Sequence, residues 1–138
     1  MKIFISYAFT GESEPAVAAR LTAVQSTLEK AGHQVYCFHF DPDRTPMMSE
    51  AECIAIALDK MVGNDVVLAL GVSERRSEGM LLEIGASLVR NIPVVYAQNI
   101  SAVGTSYLPS LADYTFVWRD ENELLQRLKE YFGENDNV

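Results

Sequence analysis

The sequence predicts a protein of the α/β class: a single domain of three layers, α/β/α, built on a five-stranded, mainly parallel sheet. Three observations predict it. Short apolar runs rich in β-branched and aromatic residues alternate with amphipathic segments of helical period along most of the chain. Those runs are apolar throughout rather than at every second residue, as strands buried on both faces should read. The chain has 138 residues, of which 49% are hydrophobic and 22% charged, enough for one domain to close a core without disulfide or metal support. Alternation of this kind covers both faces of the sheet with helices, a Rossmann- or flavodoxin-like arrangement.

The elements follow in order. Lys2–Ala8 is a buried first strand. Within Pro15–Gly32, Val17, Leu21, Val24 and Leu28 fall at helical spacing; Ser13 suits the N-cap, Pro15 the first turn, and Gly32 ends the helix. Gln34–Phe40 reads as the second strand, and a proline-broken loop, Asp41–Met48, follows it. Ser49 opens a second helix carrying Cys53, Ile56 and Met61, which closes near Gly63-Asn64. Asp65–Leu70 is the third strand, with Asp65 ending the preceding turn. After a polar loop come a helix over Gly79–Arg90, a strand over Pro93–Ala97, a strand over Tyr114–Trp118 and a closing amphipathic helix over Glu121–Phe132. There is no internal repeat or low-complexity linker. Residues 1–133 are therefore expected to form the domain, and 134–138 a polar tail that frays.

Composition excludes several classes of function. Eleven basic residues stand against nineteen acidic ones, for a net charge of −8. A nucleic-acid polymer needs a cationic face, and Arg75-Arg76 is the one basic pair. The apolar runs are too short for a transmembrane helix, and Met1–Ser6 lacks a signal peptide's apolar stretch, so a soluble cytoplasmic protein is expected. Cys37 and Cys53 are too few for a disulfide framework and have no activating base beside them in sequence. Neither they nor His33 and His39 make a metal-binding pattern; no metal and no cofactor is expected. His33, just after a helix C-terminus, suits a structural role. His39 emerges near the carboxyl edge of the sheet without an assigned one.

Ligands of open α/β sheets bind beyond the carboxyl ends of the strands, which directs attention to Phe9–Glu14, Phe38–Met48 and Gly71–Gly79. Neither a GxGxxG fingerprint nor a GxxxxGK[ST] loop occurs. The third segment carries the chemistry: Ser73-Glu74-Arg75-Arg76-Ser77-Glu78-Gly79-Met80-Leu81-Leu82-Glu83-Ile84-Gly85-Ala86. Ser77 sits where a hydroxyl and the free amides of a helix N-terminus meet an anion. Glu83 interrupts an apolar helix surface about one turn further on. Facing the cleft, it would serve as a nucleophile or stabilise a cationic sugar. Gly85 reads as a position where something approaches the helix closely, and Arg75-Arg76 as a device for drawing a phosphate into an acidic protein.

The run Ser77-x-Gly79-x-x-x-Glu83-x-Gly85-Ala86, after the strand Asp65–Leu70, resembles the nucleoside 2-deoxyribosyltransferase superfamily, which includes the smaller 2′-deoxynucleoside 5′-phosphate N-glycosidases. The opening Ile3-Phe4-Ile5-Ser6-Tyr7-Ala8-Phe9 is similar to that family's first strand and base-contacting loop, although Tyr7-Ala8 replaces the small residues usual there. Pro93-Val94-Val95 and Val117-Trp118-Arg119-Asp120 continue the likeness over most of the chain. The resemblance implies Glu83 as nucleophile, Ser77 and Gly79 around the sugar's 5′ end or its phosphate, and Tyr7, Phe9 and Gly11 in the first, base-contacting loop. It also implies an aspartate on the helix before the third strand, which handles the leaving base's proton. Asp59 is the candidate, six residues before Asp65 where roughly eight is expected, a difference of about half a helical turn. Ser106 would match a residue lent by a neighbouring subunit, and a homodimer or larger assembly is implied, with Met80–Val89 as a contact helix.

The function that follows is hydrolysis or transfer at the N-glycosidic bond of a deoxynucleoside or its 5′-monophosphate, a small-molecule partner. Two alternatives stand beside it. Phe4-Ile5-Ser6-Tyr7 also looks like the opening of TIR domains, which implies an NAD glycohydrolase. A non-catalytic nucleotide-binding or interaction module would keep the fold and bury Glu83 behind side chains. Plainer roles are open for each residue: Glu83 and Asp59 as solvated helix charges, Ser77 as an N-cap, Tyr7 and Phe9 as packing at a strand end.

Overall fold

Strands β1 (Lys2–Tyr7), β2 (Gln34–Cys37), β3 (Val66–Gly71), β4 (Val94–Asn99) and β5 (Tyr114–Trp118) form one sheet in the order β2-β1-β3-β4-β5, every pairing parallel. The structure is a computed structural model that describes residues 1–8, 13–73 and 77–133. Four helices occur among them: α1 (Glu14–Lys30), α2 (Glu50–Met61), α3 (Glu78–Val89) and α4 (Glu121–Leu128), the last continued by a π turn over Lys129–Gly133. Alternate residues of each strand face opposite ways, and the two resulting cores are distinct. Ile3, Ile5, Leu68, Leu70, Val95 and Phe116 pack under α1 and α4. Phe4, Ala8, Val67, Ala69, Val94 and Tyr96 pack under α2 and α3. Three layers result, as the alternation of runs requires.

The helix starts are set by local chemistry. Ser13 accepts from the Ala16 N–H at 3.2 Å, with Pro15 in the first turn. Ser49 and Glu52 form a reciprocal capping box: the Ser49 N–H donates to Glu52 at 2.9 Å, and the Glu52 N–H to Ser49 at 3.1 Å. Ser77 accepts from the Met80 N–H at 3.2 Å, and Asp120 from the Glu123 N–H at 2.9 Å. Gly32 (φ +96°) and Gly63 (φ +87°) supply the left-handed turns after α1 and α2.

Several boundaries differ from the sequence reading. The second strand stops at Cys37, because its last partner on β1 is Ile5; Phe38–Phe40 turns into a 3₁₀ segment closed by the Asp41 N–H on the Phe38 carbonyl at 3.0 Å. β3 and β4 each run further toward the site edge than expected, since Gly71 pairs with Gln98 and Asn99 with Trp118. Asp65 lies just before β3 and ties it to β1: its carboxylate accepts from the Lys2 N–H at 2.7 Å, and its own N–H donates to the Lys2 carbonyl at 2.7 Å. The closing helix is α-helical to Leu128 and then widens into the π turn. Short 3₁₀ turns over Ile100–Ala102 and Leu108–Leu111 were not legible as elements. Residues 134–138, Phe9, Gly11 and Arg75-Arg76 lie outside the described residues.

The strand order reverses direction between β1 and β3, both of whose carboxyl ends open on the same edge. That switch point is where an open α/β sheet leaves a crevice for a ligand.

Candidate active site

At the switch point β1 ends in Ser6 and Tyr7, with Ala8 just beyond, and β3 ends in Gly71. α3 then starts at this edge and runs back across the sheet, so its first two turns lie against the strand ends. Glu83, in the second turn, is 8% exposed. Its carboxyl Oε1 accepts from the Ser6 hydroxyl at 2.6 Å, a fully buried contact between elements distant in sequence. Burial pushes the Glu83 carboxyl up to about 7, against the Ser6 hydrogen bond, which lowers it. A carboxylate that is poised near neutrality, enclosed and held, among the described residues, by one neutral donor is suited to chemistry and is a poor stabiliser of the fold.

Tyr7 follows Ser6 and therefore faces the α1 side, where it is half-buried and meets the His39 ring edge-on at 6.3 Å. Burial raises its hydroxyl well above the ordinary range, with Cys37 and Glu83 adding and Arg44 opposing. Burial likewise pushes the Cys37 thiol up to about 12, which leaves it protonated and unreactive. His39 is lowered, chiefly by burial and then by Arg44. These shifts put Cys37, Arg44 and Glu83 within electrostatic reach of Tyr7, near the carboxyl ends of β1 and β2.

The loop after β2 is locked by a residue that the sequence did not single out. Asp41, 7% exposed, accepts from the Tyr36 hydroxyl at 2.5 Å and from the Asp43 N–H at 2.8 Å. Burial raises its carboxyl, but these two bonds and Lys60 outweigh it and the net shift is downward. The same loop turns Arg44 back so that its guanidinium donates to the His39 carbonyl at 3.3 Å.

On the other side of α3's first turn lies a narrow cleft that is partly open to solvent, with an enclosed volume of about 30 Å³. Ser73, Ser77, Gln98, Thr105 and Ser106 supply polar groups to its wall, and Met80, Tyr96 and Leu108 apolar ones. Ser77 thus both caps α3 and lines the cleft. Ser106, whose hydroxyl accepts from the Leu108 N–H at 3.1 Å, lines the same cleft within its own chain. Gly79 lets α2 approach: a Cβ there would meet Ile54 Cδ1 at 3.1 Å. Gly71 does the same for the Tyr96 ring, at 3.0 Å. Glu83 is one turn further in than Met80 and is not on the described wall of the cleft.

Three readings from the sequence need correction. Gly85 is exposed, and a Cβ there meets nothing within 4 Å among the described residues; the close approaches are at Gly79 and Gly71 instead. Leu82 and Leu88 face outward, so the apolar residues of the helix that share the buried side with Glu83 are Met80, Leu81 and Ile84. Asp59 is exposed on α2, whose inward face carries Ala57 and Met61; two residues from each, it points about 200° away from them. The position eight residues before Asp65 is Ala57, 2% exposed. The neighbouring Leu58 carbonyl accepts from Arg90, just past α3's far end, at 3.0 Å. Asp59 therefore lies on the solvent side of α2. Ser6 escaped notice although it left a signal: a hydroxyl inside a strand buried on both faces has to bond something.

A flavodoxin-like sheet with a buried carboxyl at its β1/β3 switch point defines the class. No protein-family model matches the sequence, and no curated protein is significantly similar to it. Solved structures share its fold. The CMP N-glycosidase of Clostridium botulinum superposes with a TM-score of 0.69 at 18% identity, covering 95% of this chain and 99% of that one. The 2-deoxyribosyltransferase of Bacillus psychrosaccharolyticus gives 0.67 at 16% identity, over 91% and 90% of the two chains. A conserved protein from Enterococcus faecalis gives 0.57 at 19% identity, over 95% and 98%. The first two are an N-glycosidase and a deoxyribosyltransferase, the kinds of protein that the Ser77–Ala86 run resembles; at these identities the likeness shows the fold.

Proposed function

We propose that this protein cleaves or transfers the N-glycosidic bond of a deoxynucleoside or deoxynucleoside 5′-monophosphate, with Glu83 as the nucleophile. The observation that carries the reading is the buried Glu83 carboxyl at the switch point, poised near neutrality and held through one oxygen. The fold shared with an N-glycosidase and a deoxyribosyltransferase supports it. In the first step Glu83 Oε2 bonds to C1′ as the C1′–N bond breaks; the electron pair goes to the base nitrogen, which takes a proton from water. In the second, water or another base attacks C1′ and returns the carboxylate. Ser77 and Gly79 hold the sugar's 5′ end at the mouth of α3, with Ser106 across the cleft, and Tyr7, Phe9 and Gly11 hold the base. The substrate is a small molecule rather than a nucleic-acid polymer, and the reaction needs no cofactor. The protein works in the cytoplasm as a homodimer, closed through the outward apolar residues of α3, Leu82, Leu88 and Val89.

A second reading has one observation in its favour. Glu83 is 8% exposed and off the described cleft wall, as a non-catalytic nucleotide-binding module would place it. The test for both is incubation with deoxynucleosides, their 5′-monophosphates, CMP and NAD, with and without an acceptor base, following free base by chromatography. Release from a deoxynucleoside or its monophosphate supports the proposal. Release from NAD alone transfers the protein to the NAD glycohydrolase reading, and saturable binding without release to the module.

A further inference from the structure

β1 is apolar at Ile3, Phe4 and Ile5, each at most 1% exposed, and then places Ser6 at 0%. Its position is rigid, because Ser6 pairs with Ala69 of β3 in the ladder. By strand alternation it shares the α2/α3 face with Phe4 and Ala8. Two serines are fully buried, and they are used differently. Ser87 donates at 2.6 Å to the Ile84 carbonyl of its own helix and so satisfies itself locally. Ser6 donates across to Glu83 Oε1, also at 2.6 Å. Among the described residues, this hydroxyl is the hydrogen-bond partner of the Glu83 carboxyl.

We propose that Ser6 is a positioning residue: it fixes the Glu83 rotamer through Oε1 and so leaves Oε2 as the oxygen presented to the sugar carbon. This rests on the glycosidic reading above. A carboxylate on a helix has several rotamers open to it, and an attacking oxygen must be held within a narrow approach. A donor on a central strand supplies that hold more firmly than one on a loop. The other titratable groups around Glu83 do not replace it. Tyr7 comes from β1, and Tyr36 and Cys37 from β2. Each is kept protonated, chiefly by burial. Tyr36 already spends its proton on Asp41. Cys53 of α2 and Arg44 of the β2–α2 loop act on Tyr7 rather than on Glu83.

The test compares wild type with Ser6→Ala and Ser6→Thr, the latter keeping the hydroxyl, and with Ser6→Cys should the alanine variant fail to fold. Thermal melts establish folding, and base release gives kcat and KM separately on the best substrate. The Glu83 titration is read by carboxyl-carbon NMR. Loss of a hydrogen bond to a charged group is expected to lower kcat on the order of 10- to 100-fold with KM little changed. The titration and the acid limb of the rate profile move to higher pH, because the Ser6 bond favours the charged form. Ser6→Thr recovers rate and titration. A folded Ser6→Ala with unchanged kcat and an unmoved Glu83 titration overturns the proposal while the glycosidic reading stands. No base release by wild type overturns both.

Discussion

The Glu83 carboxyl is raised from 4.5 to about 7, so the folded protein binds its proton more tightly than the unfolded chain does. Stability from this group is therefore fully present below 4.5 and is lost as pH rises through about 7; at pH 8 the ionised side chain costs on the order of 3 kcal/mol. Glu83→Gln keeps the shape and an oxygen for the Ser6 hydroxyl, and removes that cost. Its melting temperature should exceed that of wild type by several degrees at pH 8, and the difference should shrink toward pH 5 in parallel calorimetric scans. Activity runs the other way, since the nucleophile must be ionised: base release should rise with pH and reach half its plateau near 7. Glu83 was legible because a carboxylate interrupts an apolar run. Ser6 was legible by half: a hydroxyl in a buried strand must bond something, but its partner lies 77 positions away.

At the level of elements, α2 and α3 explain what the sequence misplaced. Helix type and caps were readable, since Ser13, Ser49 and Ser77 each precede an apolar period and each caps its helix. Phase was harder: a one-residue change swings a side chain by about 100°, and Asp59 sits on the solvent side of α2 on that account. Asp59→Asn should leave the rate of base release within about twofold of wild type, an outcome that a role in proton transfer would contradict by at least tenfold. Close packing was likewise assigned to the wrong glycine. Gly71→Ala pushes a Cβ to 3.0 Å from the Tyr96 ring, which lies in a buried wall. Overpacking of this kind should cost about 1–3 kcal/mol in denaturant titrations. Gly85→Ala meets nothing within 4 Å among the described residues and gains helix propensity, so it should stabilise by up to about 1 kcal/mol.

For the whole molecule, class and layer order followed from the alternation of buried runs, and the strand order β2-β1-β3-β4-β5 completes that frame. Strand order itself is a long-range property, as is the enclosure of Glu83. Leu82, Leu88 and Val89 leave α3 with an outward apolar face. The homodimer placed there predicts a mass of twice the chain by light scattering, and a single chain mass for Leu88→Glu.

The most direct measurement is the rate of base release from the preferred substrate at pH 8, for wild type and Glu83→Gln side by side. Nucleophilic attack by Glu83 predicts a loss of at least about 1,000-fold in the glutamine variant with the fold intact. Equal rates in the two proteins would contradict it.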